Sequence, residues 1–232
     1  MQRLDKLISD KLNLTRSRAK ALIKTGGVTV NGTAVLSCDY KCSDDDTVSA
    51  NGKVLDTRQF VYIMMNKPAG VISASDGKGD KTVLDLLPDE MRRKGLFPAG
   101  RLDKDTTGFA LITDDGNFAH RILSPKSHIP KTYIATLDKP IDDAVIRDFE
   151  NGMTLGEETL LPARLTPLSD NMAEIEIRQG IYHQIKRMFQ KHGITVTALT
   201  RTKMGALSLD ENLEPGACRY LTLAEVDKIC QK

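Results

Sequence analysis

From residue 60 onward, strand-like and helix-like patterns follow one another without the regular alternation of a parallel βαβ sheet. Strands are predicted at residues 60–65, 71–72, 109–113, 133–137, 172–178 and 204–209, and helices at 117–123, 142–150 and 182–192. This irregular mixture favours an α+β fold with a mixed, mostly antiparallel sheet flanked by helices. Because 40% of the residues are apolar, the chain can bury a substantial core.

The beginning of the chain has a different pattern, typical of two short helices followed by a hairpin. Leu4, Leu7 and Ile8 recur at helical spacing, and Thr15 can cap a second helix over residues 16–24. The Asn-Gly pair that follows the alternating run Val28-Thr29-Val30 is typical of a two-residue hairpin turn.

These two patterns predict two domains. We expect a small α/β domain over residues 1–58 and a larger domain over residues 59–232, with a polar linker near residues 53–59. No apolar stretch is long enough to span a bilayer, so we expect a cytoplasmic monomer without a membrane partner. The four cysteines and four histidines lack zinc-ligand spacing, which predicts free thiols and no metal site.

Positive charge is concentrated in two parts of a chain whose net charge is only +2. Residues 1–24 contain seven Lys or Arg against two acids, and residues 178–209 contain six Lys or Arg and no acid. In the predicted helix 16–24 the cations fall in the first turns, where they oppose the helix dipole and where a phosphate partner would explain them. Basic regions of this kind indicate a polyanion partner, although solvated helix faces produce the same pattern.

The run from Gly100 to Gly108 places one carboxylate, Asp103, near the fixed cation of Arg101. Because an apolar strand follows at once, Asp103 is expected in a loop that leads into the core, where scaffolds often present functional side chains. Taken alone, an Asp before a Thr-Thr-Gly corner is more often a simple turn residue. A carboxylate beside a cation can act as a nucleophile or a general base.

Two further segments contain residues suited to RNA chemistry. In the run Lys131-Thr132-Tyr133, the tyrosine ring can pack against a nucleobase, or it can be an ordinary strand residue. In residues 179–189, Tyr182, Gln184 and Lys186 are placed near the start of a helix that has an apolar stripe on one side.

The first domain resembles the S4 RNA-binding domain. The resemblance is carried by Arg3-Leu4-Asp5-Lys6-Leu7, Thr15-Arg16-Ser17-Arg18-Ala19 and the hairpin that ends at Asn31-Gly32, in that order. It implies that the second helix and its neighbouring loop contact RNA.

The second domain resembles the pseudouridine synthases, in particular the branch that modifies ribosomal RNA and has an S4 domain ahead of the catalytic domain. The matching motifs are Asn66-Lys67-Pro68-Ala69-Gly70, the Gly-Arg-Leu-Asp run with its Thr-Thr-Gly, Lys131-Thr132-Tyr133 and residues 183–188, in the family's order. The resemblance implies an isomerase that needs no cofactor or metal. It also implies that Asp103 is the essential carboxylate, that Tyr133 stacks on the target base and that Lys186 pairs with Asp103.

The resemblance also implies RNA contacts by a wider set of polar residues. These are Arg3, Lys6, Arg16, Ser17, Arg18 and Lys20 in the first domain, and Asn66, Lys67, Arg101, Thr106, Thr107, His183, Gln184 and Arg187 in the second. The run Gln179-Gly180-Ile181 departs from the family, which usually has a glutamate first and a basic residue last, and this departure is expected to alter RNA contacts nearby.

The motif variant Tyr182-His183 together with Thr106-Thr107 is more similar to the enzymes of small-subunit (16S) rRNA than to those of large-subunit (23S) rRNA. The expected partner is therefore ribosomal RNA or an assembling small subunit. Three alternatives remain open: a large-subunit enzyme, a non-catalytic RNA-binding or assembly factor, and a glycosidase-type hydrolase that would use Asp103 with a second acid. The sequence also leaves open whether Asp103 attacks the sugar or the base.

Overall fold

The computed structural model describes residues 2–43, 46–55 and 57–231. The chain divides into two compact units between Phe60 and Val61. Within the described residues, no helix is long and apolar enough to cross a membrane.

The first unit combines two helices with short antiparallel strands. Its elements are β1 (Gln2–Arg3), α1 (Leu4–Lys11), α2 (Arg16–Lys24), β2 (Val28–Val30), β3 (Thr33–Ala34), β4 (Lys41–Cys42), β5 (Val48–Ala50) and β6 (Lys53–Leu55). Strands β3, β2, β5 and β6 form one sheet, and β1 pairs with β4. Thr15 caps α2 by accepting a hydrogen bond from the backbone N–H of Arg18, as predicted.

The predicted linker over residues 53–59 begins too early. Asn51 and Gly52 both have positive φ and form a tight turn, from which β6 returns to pair with β5. A second Asn-Gly hairpin therefore completes the small sheet. Asp56, within the predicted linker, lies outside the described residues.

The second unit contains a sheet with helices on both faces. Its elements are β7 (Tyr62–Lys67), β8 (Phe97–Pro98), β9 (Thr107–Thr113), α3 (Gly116–Leu123), β10 (Lys131–Leu137), α4 (Asp143–Asn151), β11 (Thr154–Leu155), β12 (Glu158–Thr159), β13 (Arg164–Ser169), β14 (Met172–Ile177), α5 (Gln184–Lys191), β15 (Val196–Met204), β16 (Leu207–Ser208), β17 (Cys218–Tyr220) and α6 (Leu223–Ile229). The main strand order is β13-β14-β10-β15-β9-β7-β17. Among the described pairs in this sheet, β9 and β15 run parallel and the others antiparallel, which confirms the predicted α+β class with a mostly antiparallel sheet.

Successive side chains of β7 and β9 point alternately into two hydrophobic cores, one on each face of this sheet. Met65 and Ile112 face the side that is covered by α4 and α5, whereas Met64 and Phe109 face α3 and α6. Because successive side chains of a strand point to opposite faces, a continuous apolar run in a central strand serves both cores.

Three predicted elements differ from the structure. Residues 71–72 form only an isolated bridge, between Ile72 and Thr82. The strand predicted at 204–209 is the end of β15, followed by a turn at Gly205 and by β16. The predicted helix 182–192 begins at Gln184, because His183 has a left-handed backbone with φ of 51°.

Candidate active site

Asp103 lies in the loop between β8 and β9, near the middle of the sheet. The loop closes a turn in which the N–H of Thr106 donates to the Asp103 carbonyl at 3.1 Å. The N–H of Leu102 donates to Ser73 Oγ at 3.1 Å. These bonds fix the backbone on both sides of Asp103, so its carboxylate is presented from an ordered loop.

Lys67, the last residue of β7, stabilises this loop through hydrogen bonds to its backbone. Its side chain is completely buried, and its Nζ donates to the carbonyls of Pro68 at 3.1 Å, Lys104 at 3.3 Å and Thr106 at 2.7 Å. Burial lowers the pKa of Lys67 to about 8, although the charges of Asp105 and Asp103 act in the opposite direction. The predicted RNA contact of Lys67 is therefore wrong, because this ammonium is used inside the protein.

Gly108 allows β9 to enter the sheet directly after the loop. It has φ of 94°, and a Cβ at this position would lie 2.3 Å from the carbonyl oxygen of Arg201 in β15. Only glycine fits both this backbone conformation and this close approach. The glycine that ends the sequence motif thus has a packing role at the β9–β15 pair.

The other side of the site comes from the start of α5. Lys186 Nζ lies 3.3 Å from Asp103 Oδ2 and 2.6 Å from Asp105 Oδ1. His183 Nε2 lies 3.5 Å from Asp103 Oδ1. Asp103 therefore faces two nitrogen groups from α5 and the residue before it, one on each carboxylate oxygen.

The charges of this cluster shift two pKa values. Burial alone would lower the pKa of Lys186, but the hydrogen bond with Asp105 and the charge of Asp103 raise it above its usual value. The same hydrogen bond lowers the pKa of Asp105. Lys186 is therefore held as a cation between the two carboxylates.

Asp103, Lys186 and Tyr133 line one cavity of about 90 Å³. Tyr133, in β10, is buried and forms part of the wall together with Leu199 of β15 and Ile181. The three residues predicted to be catalytic are thus brought together, although they are far apart in sequence.

Four of the predicted RNA-binding residues in this unit line the cavity, and they differ in exposure. Arg101 and His183 line the cavity and are partly or fully exposed. Thr106 and Gln184 also line it but are buried, and among the described atoms Thr106 Oγ1 has no hydrogen-bond partner. Gln184 accepts from the Ile181 N–H and donates to Met188 Sδ, so it has partners inside the protein, and its contact with RNA stays a prediction.

Three more of these residues have partners within the unit. Asn66 donates to the Leu213 carbonyl, and Thr107 shares a hydrogen bond with Thr200. Arg187 binds Glu158 Oε2 at 2.7 Å. The predicted basic region 178–209 is also smaller than expected, because Arg201 is buried and donates to the Phe109 carbonyl.

In the first unit, a buried carboxylate accounts for two of the predicted RNA-binding arginines. Asp5 is fully buried, and both Arg3, at 3.1 Å, and Arg16, at 3.4 Å, pair with it. The hydrogen bond from Arg3 lowers the pKa of Asp5, while burial acts in the opposite direction. The phosphate partner inferred for Arg16 is thus not needed to explain its position.

The remaining predicted RNA-binding residues of that unit are exposed: Lys6, Ser17, Arg18 and Lys20. Within the described residues, no group of three or more His, Cys, Asp or Glu is arranged to hold a metal ion.

The sequence did not indicate the supporting roles of three residues. Ser73 and the buried role of Lys67 have no local pattern, since a hydroxyl or an amine that bonds a distant loop is defined only by the tertiary fold. The pairing of Asp105 with Lys186 could not be seen from spacing either, because 81 residues separate the two.

Comparison with known proteins gives matches along nearly the whole chain. Residues 61–191 match the RNA pseudouridylate synthase family, and residues 2–48 match the S4 domain. A ribosomal small subunit pseudouridine synthase A of Vibrio cholerae is 43% identical over 229 residues, which cover 98% of this chain and 99% of the relative. An uncharacterized RNA pseudouridine synthase of Bacillus subtilis is 41% identical over 230 residues, covering 97% and 96% respectively.

A solved structure of a pseudouridylate synthase is similar to this chain over nearly its whole length. The crystal structure of a pseudouridylate synthase covers 99% of this chain and 100% of its own, with a TM-score of 0.70 and 38% sequence identity.

Proposed function

The chain belongs to the RNA pseudouridylate synthase family and contains an S4 domain, and from this premise we propose that it converts one uridine of small-subunit ribosomal RNA to pseudouridine, with Asp103 as the reacting carboxylate. The observation that carries the proposal is that Asp103, Tyr133 and Lys186 line one cavity.

The reaction is an isomerisation. The bond from base N1 to sugar C1′ breaks, the base turns, and a bond from C5 to C1′ forms. The C5 proton is lost and N1 gains a proton, so the composition of the RNA does not change. The balance therefore requires no oxidant, no water and no group donor.

We assign to Asp103 the role of the nucleophile that begins this sequence. Attack on C1′ forms an ester to the sugar as the N1–C1′ bond breaks, and attack by C5 on C1′ later releases the carboxylate. Attack on the base instead adds the carboxylate to C6, with the C5–C6 electron pair taken up at O4 as an enolate. The N1–C1′ bond then breaks, C5 bonds to C1′, and elimination of the carboxylate from C6 as C5 loses its proton restores the C5–C6 double bond. The ammonium of Lys186, 3.3 Å from Asp103, favours the ionised form of this carboxylate. Asp105 is exposed and does not line the cavity, which disfavours a hydrolase that needs a second acid beside the substrate.

Tyr133 supplies a flat wall for the base. A uridine must leave its stack to reach Asp103, which costs a few kcal/mol and favours loops or distorted RNA. Stacking on an aromatic ring offsets part of that cost, since a base contact of this kind contributes about 1–3 kcal/mol. Tyr133 is therefore assigned to holding the flipped base.

One relative and one sequence motif support the small subunit as the source of the substrate. The Vibrio cholerae relative is named a small subunit enzyme, and it matches 98% of this chain. The Tyr182-His183 pair is the motif variant that resembles the small-subunit enzymes, and it lies at the site, since its two rings stack at 3.8 Å and His183 contacts Asp103. Binding of the RNA itself is assigned to the exposed residues of α2 and to Arg101 beside the cavity.

The test is to map pseudouridine in ribosomal RNA from cells with and without this protein. We expect one pseudouridine in small-subunit rRNA to disappear and to return when the wild-type gene is restored. Loss of a site in large-subunit rRNA instead would contradict the substrate assignment. An unchanged map of both rRNAs would contradict the activity and leave an RNA-binding or assembly role.

A further inference from the structure

A groove lies beside the candidate active-site cavity and shares Gly180 and Ile181 with it. It is formed by the end of α3, the turn Pro125–Ser127, the start of β10 and the segment that follows β14. The groove has a volume of about 450 Å³, within the range of roughly 300–1,000 Å³ that is typical of small-ligand sites.

One part of this groove is apolar and accessible. Leu123 is 40% exposed and Leu161 is 38% exposed, and Ile181 completes the apolar lining. The backbone N–H of Leu161 donates to Gln179 Oε1 at 2.6 Å, which fixes the position of this leucine. Exposed leucines that are held in place by the fold offer a surface on which a planar ring can lie.

The rest of the lining is cationic. Lys126, Lys131 and Arg178 line the groove, and no aspartate or glutamate is among the described lining residues. Arg178 also contacts Glu176 at 3.1 Å, and this glutamate lies outside the lining. The lining is therefore complementary to an anion beside an apolar ring.

Lys131 provides the most specific feature of the groove. Its side chain is only 9% exposed, yet among the described residues its Nζ has one hydrogen-bond acceptor, the Ile129 carbonyl at 2.9 Å. An ammonium has three N–H donors, so two remain for a bound anion. Burial and the nearby charge of Arg201 lower the pKa of Lys131 to about 8, and a phosphate would relieve this cost.

We propose that this groove binds a nucleotide of the substrate RNA that neighbours the target uridine. The base of this nucleotide lies against Leu123, Leu161 and Ile181, and its phosphate is held by Lys126 and Lys131. The inference rests on the proposed function, because the shared residues Gly180 and Ile181 place the groove next to the uridine site. It adds a second base-binding site, which helps to select the RNA sequence or loop around the target.

The test compares a groove variant with a matched control on an RNA that the wild-type protein modifies. The groove variant is Leu161→Ser with Lys126→Ala. The control is Leu168→Ser with Lys94→Ala, which removes an exposed leucine and an exposed lysine outside the groove. The probe is small-subunit rRNA that contains uridine tritiated at C5, because formation of the new C5 bond releases the tritium.

We expect the groove variant to raise KM by about tenfold or more, in line with the loss of one buried apolar contact and one phosphate contact, with kcat within twofold of wild type. The control should change neither constant by more than about twofold, and both proteins should keep the wild-type melting temperature. A groove variant whose KM equals that of the control overturns the inference while the activity of the wild-type protein stands. Absence of tritium release by the wild-type protein overturns the proposed function itself.

A second measurement identifies the bound nucleotide. A photo-crosslinking benzoylphenylalanine at position 161 should crosslink to a nucleotide within one or two positions of the target uridine. Crosslinks only to distant nucleotides, or none to RNA, contradict the assignment of this groove.

Discussion

Lys186 lies between two carboxylates that differ in their relation to the cavity. Asp103 lines the cavity, whereas Asp105 is exposed and takes the shorter contact with Lys186, at 2.6 Å against 3.3 Å. Because exposed ion pairs contribute little to stability, the contact with Asp105 is best understood as orienting the ammonium. For the proposed chemistry, the important contact of the Lys186 ammonium is the one with Asp103.

Replacing Lys186 should therefore impair the reaction more than the fold. We expect Lys186→Gln to lower kcat by about a hundredfold or more, as found when one preorganised electrostatic partner of a reacting group is removed. Lys186→Arg keeps the positive charge and should recover most of this loss. Single-turnover tritium release measures both variants, and a Lys186→Gln protein with wild-type kcat would rule out the assigned role.

For single residues, the sequence motifs predicted three side chains that line one cavity, but they did not predict which motif residues are buried. Asp103, Tyr133 and Lys186 were predicted because the order of motifs is specific. Lys67 belongs to the same motifs, yet its role is different from the predicted one because the depth of a lysine in the fold is not encoded by its neighbours in sequence.

Among the elements, the parallel contact between β9 and β15 positions the site most directly. The pairing joins Thr107 to Thr200 and Gly108 to Arg201, immediately after the loop that contains Asp103. Strand β15 also pairs with β10, which contains Tyr133. A shift of this one strand would therefore move the loop and the aromatic wall relative to each other.

Gly108→Ala tests this arrangement. The added Cβ would meet the Arg201 carbonyl oxygen at 2.3 Å on a backbone with φ of 94°, so we expect the free energy of unfolding to fall by about 2–4 kcal/mol. Gly116→Ala is the matched control, because nothing lies within 4 Å of its Cβ position and no left-handed φ is required there. Urea denaturation of both proteins gives the comparison, and equal stability of the two variants would contradict this account of Gly108.

Strand β15 is also one of the strands that the sequence did not predict, apart from its last residue. It alternates imperfectly, with exposed threonine and lysine among buried residues such as Leu199 and Met204, and it contains a buried arginine at 201. Local hydrophobic periodicity predicts strands with one clean apolar face, and a central strand that carries polar side chains does not give that signal. The helices α2, α3 and α4 were predicted within one residue because their caps and apolar stripes are local.

In the whole molecule, the proposed chemistry belongs to the second unit, and the first unit supplies RNA contacts away from the cavity. In the first unit, Arg3 and Arg16 pair with Asp5, whereas Arg18 and Lys20 are exposed cations of α2 that we assign to phosphate contacts. The general organisation was predictable from sequence, since each unit has its own pattern of elements and charge. Which cations of a basic run are exposed was not, because a buried acid such as Asp5 is recognised only in the folded unit.

Charge reversal in α2 tests this division. We expect Arg18→Glu with Lys20→Glu to raise KM for rRNA and leave kcat unchanged, and to reduce the slope of log affinity against log salt by roughly 1–2, as expected for about two lost phosphate contacts. The control is Lys41→Glu with Lys53→Glu, two exposed lysines of the same unit outside α2. A salt slope equal to that of the wild-type protein would show that α2 does not contact phosphates.

The most direct test of the central claim compares two neighbouring carboxylates that share Lys186. Wild type, Asp103→Asn and Asp105→Asn are assayed for tritium release from C5-labelled small-subunit rRNA, after thermal denaturation has shown that all three are folded. We predict that Asp103→Asn lowers the rate by about a thousandfold or more, as for removal of a nucleophile, and that Asp105→Asn stays within about tenfold of wild type, since an exposed ion pair contributes little. A folded Asp103→Asn protein that releases tritium at the wild-type rate would contradict the account.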